Sequence, residues 1–422
     1  MKEIIQPLKG TRDFYPDEMA KRNRLYQLIR KVSESFGYQE FEGPYLEKIS
    51  LYAAKSGDEL VNQQSFVFPD RGGEMITLRP ELTPTLARMV AQRQNELAFP
   101  LRWWSFGPFW RYERPQKGRT REFFQWNIDL IGVSNPETDA EMISIAASFL
   151  KNAGLKPDQV KILVNDRRMM NGELIGLGIS QQMLPMALKV IDRRKKLKSE
   201  LWDAFVLESG FSQMQLEQIK TLVSNKDLWK KSETLPRAFE IIVRNGVNEY
   251  VSYDPEIIRG LDYYTATVFE AFDISEEGRA ILGGGHYDNL VAAVGGQPLP
   301  GVGFAMGDVV IDQVLTKFGC LTTTGKNATI LMTVFDADRL ATSYALAADL
   351  RKQGLKIACY PEAAKLDKQF KYADRMGMRF ALIQGPDEEK VHKVAIKDLV
   401  SREQQVFDQS ALPVELKRRL EM

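Results

Sequence analysis

WWSFGPFWRYERPQKGRTREFFQWNIDLI, residues 103–131, is the stretch on which the fold turns. Its two ends, Trp103–Tyr112 and Phe123–Ile131, are rich in aromatic and β-branched residues and read as β-segments joined by a charged loop. Between Arg111 and Arg121 lie five cations (Arg111, Arg114, Lys117, Arg119, Arg121), with Glu113 the one acid among them. An arginine presents a planar fork of donors that matches phosphate oxygens two at a time, so a polyphosphate or an RNA phosphate suits this loop. A solvated charged hairpin is the plainer alternative. Against it, β-segments on both sides would give the arginines a rigid support, and Phe123 and Phe124 offer aromatic faces to a base.

Working outward, Met19–Ser35 has helical periodicity, with Pro16 in its opening turn, Asp13 or Asp17 as the expected cap and Gly37 at its end. A short extended stretch, Tyr38–Pro44, follows. Strands are expected at Ser65–Phe68, Met75–Leu78 and Val160–Val164, and a helix at Glu137–Ala153. From about Arg167 to Asn248 the pattern is helical and polar. Sheet signals then return at Tyr250–Tyr253, Thr265–Phe272, Ala280–Leu282 and Val302–Phe304. Strands that stop, yield to helices and resume predict a helical insertion within one sheet domain. Past a small polar linker at 321–326, strand and helix alternate: Ala328–Phe335, Leu340–Gln353, Lys356–Cys359, Leu366–Met376, Phe380–Gln384. That rhythm predicts a compact α/β domain with a largely parallel sheet.

A chain of 422 residues, 44% hydrophobic and 27% charged, is of ordinary globular composition and long enough for two or three domains. Its net charge of +1 gives no bulk attraction to nucleic acid, so any basic surface must be local. Cys320 and Cys359 cannot build a disulfide framework or a thiolate zinc site, which points to a reducing cytosol. No apolar run approaches the roughly 18 residues of a membrane span, and MKEIIQPLKG lacks a signal-peptide core. The two histidines, His286 and His392, nearly exclude a Ser-His-Asp triad or a multi-histidine metal site. An enzyme built this way must work by electrostatics and positioning.

Three further stretches carry chemistry. Thr77–Thr83 places Glu81 and Thr83 two residues apart after a strand, a pair suited to an ammonium group; Thr83 as cap and Pro84 as first residue of a helix is the structural alternative. Arg259–Tyr264 (RGLDYY) sits between an extended stretch and a strand, and a paired Arg259–Asp262 in a turn is its plainer reading. Gly283–Asp288 (GGGHYD) and Gly301–Gly307 (GVGFAMG) are glycine-rich. The second superficially matches a dinucleotide loop, but QPLP (297–300) precedes it instead of a βαβ strand, so close backbone approach to a ligand or another strand explains the glycines better.

Together these residues resemble the histidyl-tRNA synthetases, of the class II aminoacyl-tRNA synthetases, over nearly the whole chain. Lys9–Asp17 (KGTRDFYPD) is similar to the family's N-terminal signature, the stretch ending at Pro44 to class II motif 1, and Arg111–Gln125 to motif 2. Arg259–Tyr264 matches the histidine-specific RGLDYY signature, and Leu366–Asp374 resembles the anticodon-binding domain. The resemblance implies an α+β fold: an antiparallel-sheet catalytic domain at 1–325 with its helical insertion at about 167–248, and an α/β anticodon-binding domain at 326–422. It implies that Glu81, Thr83 and Gln125 bind the α-amino group of histidine, and that Asp129 and Tyr264 read the imidazole with Tyr263 and Tyr287 lining the pocket. It further implies that Arg111 and Arg259 hold the α-phosphate and the attacking carboxylate, Phe123 stacks on adenine, and Gln116 approaches the tRNA acceptor end. The implied substrates are L-histidine, ATP with Mg²⁺, and tRNA(His); the implied assembly is a cytoplasmic homodimer with no resident metal.

That chemistry suits a chain with two histidines. The histidine carboxylate attacks the α-phosphorus of ATP and a tRNA ribose hydroxyl then takes the acyl group; a carboxylate needs no base, and the barrier lies in bringing anions together. Three positions depart from the family pattern. Val310 stands where motif 3 usually has an arginine on the γ-phosphate, which leaves Arg119 or Arg114 to supply that contact. His286 replaces the arginine of GGGRYD, and Asp129 is one methylene shorter than the usual glutamate. The alternative they raise is a catalytically retired paralogue that regulates ATP phosphoribosyltransferase. A basic run, Lys189, Arg193, Arg194, Lys195, Lys196 and Lys198, is expected on one helix of the insertion, facing tRNA.

Overall fold

The computed structural model describes residues 4–53, 64–116, 118–259, 264–274, 278–320 and 329–421. Lys117, Asp262 and Tyr263, singled out above, lie outside the described residues, as does the 321–326 linker. The chain divides into two compact units, 1–322 and 323–422.

The first unit runs α1 (Pro16–Ser35), β1 (Gln39–Glu40), β2 (Leu46–Lys48), α2 (Ile49–Ala53), β3 (Phe66–Pro69), β4 (Met75–Leu78), α3 (Thr83–Arg93), β5 (Leu101–Trp110), β6 (Glu122–Ile131), α4 (Pro136–Asn152) and β7 (Val160–Asp166). Helices α5 (Arg167–Gly176), α6 (Leu184–Arg193), α7 (Ser199–Glu208), α8 (Gln213–Ser224) and α9 (Leu235–Arg244) follow. Then come β8 (Val251–Tyr253), β9 (Thr267–Asp273), β10 (Ala280–Tyr287), β11 (Gly301–Gly307) and α10 (Asp308–Lys317). Eight strands form one sheet in the order β1-β5-β6-β11-β10-β9-β7-β8, with β2-β4-β3 in a small second sheet. The large sheet is antiparallel at its centre and parallel at its edge pairs, β1 with β5 and β7 with β8.

Alternation along the strands gives this sheet two different faces. Trp126, Ile128 and Leu130 of β6, with Val302, Phe304 and Met306 of β11, pack beneath Leu25, Ile29 and Val32 of α1 and Ile143, Ala146 and Leu150 of α4. The intervening residues of β6, Phe123, Gln125 and Asp129, therefore turn to the other face. Helices α5–α8 bury a core of their own around Met170, Ile191, Trp202, Val206 and Ile219. Helix α9 belongs instead to the main core, through Leu235, Ala238 and Ile242.

Several local expectations are corrected. Tyr15, not Asp13 or Asp17, is the N-cap of α1, because Pro16 is already its first residue; Gly37 does take the left-handed conformation at its end (φ 79°). Leu82 precedes α3, so Thr83 lies inside the first turn and is not its cap. Strand β10 runs on through the glycine triplet to Tyr287, because ladders with β9 and β11 flank it on both sides and supply the pairing that local propensity lacks. The basic run does not occupy one helix. It spans the end of α6, a 3₁₀ turn at Arg194–Lys196, and Lys198 as N-cap of α7. Within it Arg194 pairs with Glu256 (2.5 Å) and Lys195 with Asp254 (2.5 Å).

The second unit contains β12 (Ile330–Met332), α11 (Leu340–Lys352), β13 (Ile357–Cys359), α12 (Leu366–Arg375), β14 (Phe380–Ile383), α13 (Pro386–Lys390), β15 (Lys393–Asp398), β16 (Gln404–Asp408) and α14 (Leu412–Glu421). Its sheet order is β13-β12-β14-β15-β16. The first three strands are parallel, as expected; β15 and β16 add antiparallel pairs. These two escape the sequence reading because β16 is mostly exposed and polar (QQVFD) and the apolar part of β15 is three residues long.

Candidate active site

The open face of the large sheet gathers the polar groups. Asp129 is buried towards the C-terminal end of β6, and the Tyr287 hydroxyl donates to its Oδ1 at 2.8 Å. Opposite Asp129 on β11 stands Gly303, and a Cβ there would run into the carboxylate and into Ile128 O at 2.7 Å. The missing side chain lets Asp129 lie flat across its neighbour. Burial pushes the Asp129 carboxyl up to about 7, against the pull of the Tyr287 hydroxyl. A carboxylate has about four acceptor sites, so capacity remains for the N–H of a polar ligand.

Arg259 approaches from the side, in the left-handed conformation (φ 60°). Its Nη1 meets Glu270 of β9 at 2.7 Å, and its guanidinium lies over Gly283, where a Cβ would collide with it. The expected Arg259–Asp262 pair falls partly outside the described residues; Glu270, which the sequence reading did not single out, is the partner seen here. Tyr264 lies 5.9 Å below the Arg259 guanidinium and is buried in one cluster with Tyr287, Ala87, Ile257 and Val268.

From the other side come β4–α3 and the charged hairpin. Glu81 is buried. Its backbone is held by the Tyr52 hydroxyl (3.3 Å to Glu81 O), and the adjoining Pro80 O accepts from Arg111 Nε at 3.0 Å. Arg111 thereby ties the hairpin base to the Glu81–Thr83 turn while its guanidinium sits 5.3 Å over Phe123. Phe123 stacks on Phe109 across the strand pair (5.9 Å). Gln125 follows two residues on, facing Gly107 and Gly307. Thus Glu81, Thr83, Arg111, Phe123, Gln125, Asp129, Arg259, Tyr264 and Tyr287 border one face. Gln116 and Arg119 stand apart at the exposed hairpin tip, where they exchange backbone hydrogen bonds (3.1 and 2.8 Å) and Arg119 pairs with Glu113 at 3.1 Å.

The sequence reading assigns no role to the residues that support this face. Arg79 is wholly buried: Nε donates to Pro108 O (2.9 Å), Nη1 to Glu42 (2.5 Å) and Gly43 O (3.1 Å), and the guanidinium lies over Phe109 at 4.4 Å. Asp308 at the start of α10 accepts from Phe124 N (2.9 Å) and from Arg12 (2.8 Å), and Arg22 stacks on Phe124 at 3.6 Å. Through these contacts the N-terminal KGTRDFYPD stretch braces the hairpin's second strand, and Gly10 O adds to the brace by accepting from Arg121 N at 2.8 Å. Val310, two residues into α10, packs against the main core.

A model described as histidyl-tRNA synthetase matches residues 10–308, and one described as anticodon binding domain matches residues 327–419. The chain is 36% identical to the histidine–tRNA ligase of Leptospira biflexa serovar Patoc, covering 98% of this chain and 97% of that one. It is 38% identical to that of Thermoplasma volcanium, over 95% and 96%. The crystal structure of histidyl-tRNA synthetase from Nostoc sp. PCC 7120 superposes with a TM-score of 0.83 at 28% identity, covering 99% of this chain and 100% of that one. The architecture is that of a class II aminoacyl-tRNA synthetase. Within that class, the chain belongs to the histidyl-tRNA synthetase family.

The raised Asp129 carboxyl has a consequence for stability. Between about pH 4 and 7 the native state keeps a proton that the unfolded chain has lost, so this group's contribution falls as pH rises through that window. Asp129→Asn never ionises. Its melting temperature relative to wild type should therefore climb from pH 5 to 7 and level off above, by thermal shift without ligands. A difference that is flat with pH would refute the assignment.

Proposed function

We propose that the chain activates L-histidine with ATP to histidyl-adenylate and pyrophosphate, then transfers histidine to the 3′ end of tRNA(His). The observation that carries this reading is the buried Asp129–Tyr287 pair, set between Arg111 on one side and Arg259 on the other. Asp129 and Tyr264 read the imidazole, and Tyr287 and Tyr263 complete the pocket. Because the imidazole is selected by hydrogen bonds, a wrong side chain strands buried polar groups and is strongly rejected. Glu81, Thr83 and Gln125 take the α-amino group, the carboxylate of Glu81 balancing its charge.

ATP enters as its Mg²⁺ complex. Phe123 stacks on adenine, while Arg111 and Arg259 neutralise the α-phosphate and the histidine carboxylate as the two anions meet. Glu270 holds the Arg259 guanidinium in place as they do so. Gln116, at the hairpin tip, meets the acceptor end of tRNA. Residues 1–325 form the catalytic domain with its insertion at about 167–248, and 326–422 bind the anticodon arm. Of the insertion's basic run, Lys189, Arg193 and Lys198 are exposed and suit RNA phosphates; Arg194 and Lys195 are engaged by acids. The protein works in the cytoplasm as a homodimer, which light scattering reads directly; a 48.1 kDa particle at micromolar concentration would contradict the dimer.

Histidine-dependent ATP–pyrophosphate exchange tests the reaction itself. No exchange in the wild type would favour the retired regulatory paralogue. Val310 has no donor for the γ-phosphate; of the two candidates, Arg119 and Arg114, Arg119 is favoured, because the hairpin tip can fold over a bent triphosphate once Arg119 leaves Glu113. Losing one charge-assisted phosphate contact costs about 1.5–3 kcal/mol. Arg119→Ala should thus raise the KM for ATP roughly ten- to a hundredfold and leave histidine affinity unchanged. If Arg119→Ala and Arg114→Ala both keep the wild-type ATP dependence, the γ-phosphate is held elsewhere.

A further inference from the structure

On the helix-covered face of the sheet, directly behind Tyr287, lies a polar cluster that the reaction above does not use. His286 is buried there, with Nδ1 at 3.0 Å from Asp139 of α4. Its Nε2 is 3.1 Å from the Ser134 hydroxyl and 3.3 Å from Asp288. Asp288 is itself paired with Arg168 of α5 at 2.9 Å. The backbone of His286 does a second job: its carbonyl accepts from Thr265 N at 2.8 Å, next to Tyr264. One residue therefore spaces both tyrosines, Tyr287 through the chain and Tyr264 through this hydrogen bond.

A neutral imidazole can donate from one nitrogen only, and here a carboxylate faces each. A ring protonated on Nδ1 alone donates to Asp139 and accepts from Ser134 at Nε2; the doubly protonated ring donates to both carboxylates. Without the cation, Asp139 would be left as a buried carboxylate lacking a counter-charge, which is costly. We propose that His286 is a positioning residue that acts as an imidazolium: clasped by Asp139 and Asp288, it fixes the strand end that presents Tyr287 and Tyr264 to histidine. The inference rests on the assignment of those tyrosines to the histidine pocket. Burial opposes the charge and Arg168 adds to that opposition, but the hydrogen bond and field of Asp139, with Asp288, outweigh them and raise the pKa. The cation's contribution is fully present below the ordinary imidazole value of about 6.5 and is lost as pH rises through this raised value.

The chain has two histidines, so one substitution isolates the ring. In a His392→Asn variant labelled with ¹³Cε1-histidine, the remaining resonance should show an imidazolium at pH 7, titrating above the ordinary value of about 6.5. Asparagine suits position 392, whose φ is 50°. A ring already neutral at pH 7 overturns the proposal. Asp139→Asn should lower the midpoint; an unmoved midpoint counts against the clasp. In pyrophosphate exchange, His286→Gln should raise the KM for histidine by about tenfold or more, with kcat changed less. His286→Arg, which keeps a cation, should restore the KM and remove its rise at alkaline pH. A Gln variant equal to wild type, or an Arg variant as impaired as Gln, would overturn it. Absence of exchange in wild type would sink the adenylation reading instead, while the ring titration still decides whether His286 is charged.

Discussion

A Cβ at Gly303 would strike the Asp129 carboxylate and Ile128 O, and one at Gly283 would strike the Arg259 guanidinium. The pocket exists because two adjacent strands have no side chains at these points. In an antiparallel sheet the neighbour opposite a residue normally fills the space beside it. Removing that neighbour leaves a shelf on which a long or charged side chain can lie flat. Asp129 and Arg259 use two such shelves on β11 and β10, and Gly303 and Gly283 themselves stay paired with both neighbouring strands.

The same strands are rigid because their opposite face is closed. Trp126, Ile128 and Leu130 hold β6 against α1 and α4, so its outward residues inherit a fixed register. Buried charges then lock the borders. Arg79 joins the 42–45 segment to β5, and Asp308 joins α10 to Phe124 and Arg12. Such groups are expensive to bury and strongly destabilising to break. They fix the geometry near the hairpin base, where Arg111 reaches both Pro80 O and the ring of Phe123.

Much of this was legible in the sequence. The aromatic and β-branched content of Trp103–Tyr112 and Phe123–Ile131 predicts the hairpin, the family resemblance singles out Gln125 and Asp129, and the glycines read as places of close approach. What stayed hidden were partners distant in sequence. Glu270 pairs with Arg259, Glu42 with Arg79 and Asp308 with Arg12 across 11, 37 and 296 residues, and nothing in the local sequence names the partner. Local propensity also failed where tertiary pairing overrides it: the glycine triplet of β10 is poor strand sequence, made strand by the two ladders that flank it. The basic run misled for a similar reason. Arg194 and Lys195 look like surface cations until Asp254 and Glu256, some 60 positions away, are brought against them.

On the proposed assignment, an absent side chain on β11 shapes the histidine pocket and leaves the ATP pocket alone. Pyrophosphate exchange by a Gly303→Ala variant tests it most directly. Overpacking of about 1–3 kcal/mol at that point should raise the KM for histidine by roughly ten- to a hundredfold, with the KM for ATP nearly unchanged. A folded variant with wild-type histidine dependence, or one in which both KM values rise together, would contradict it.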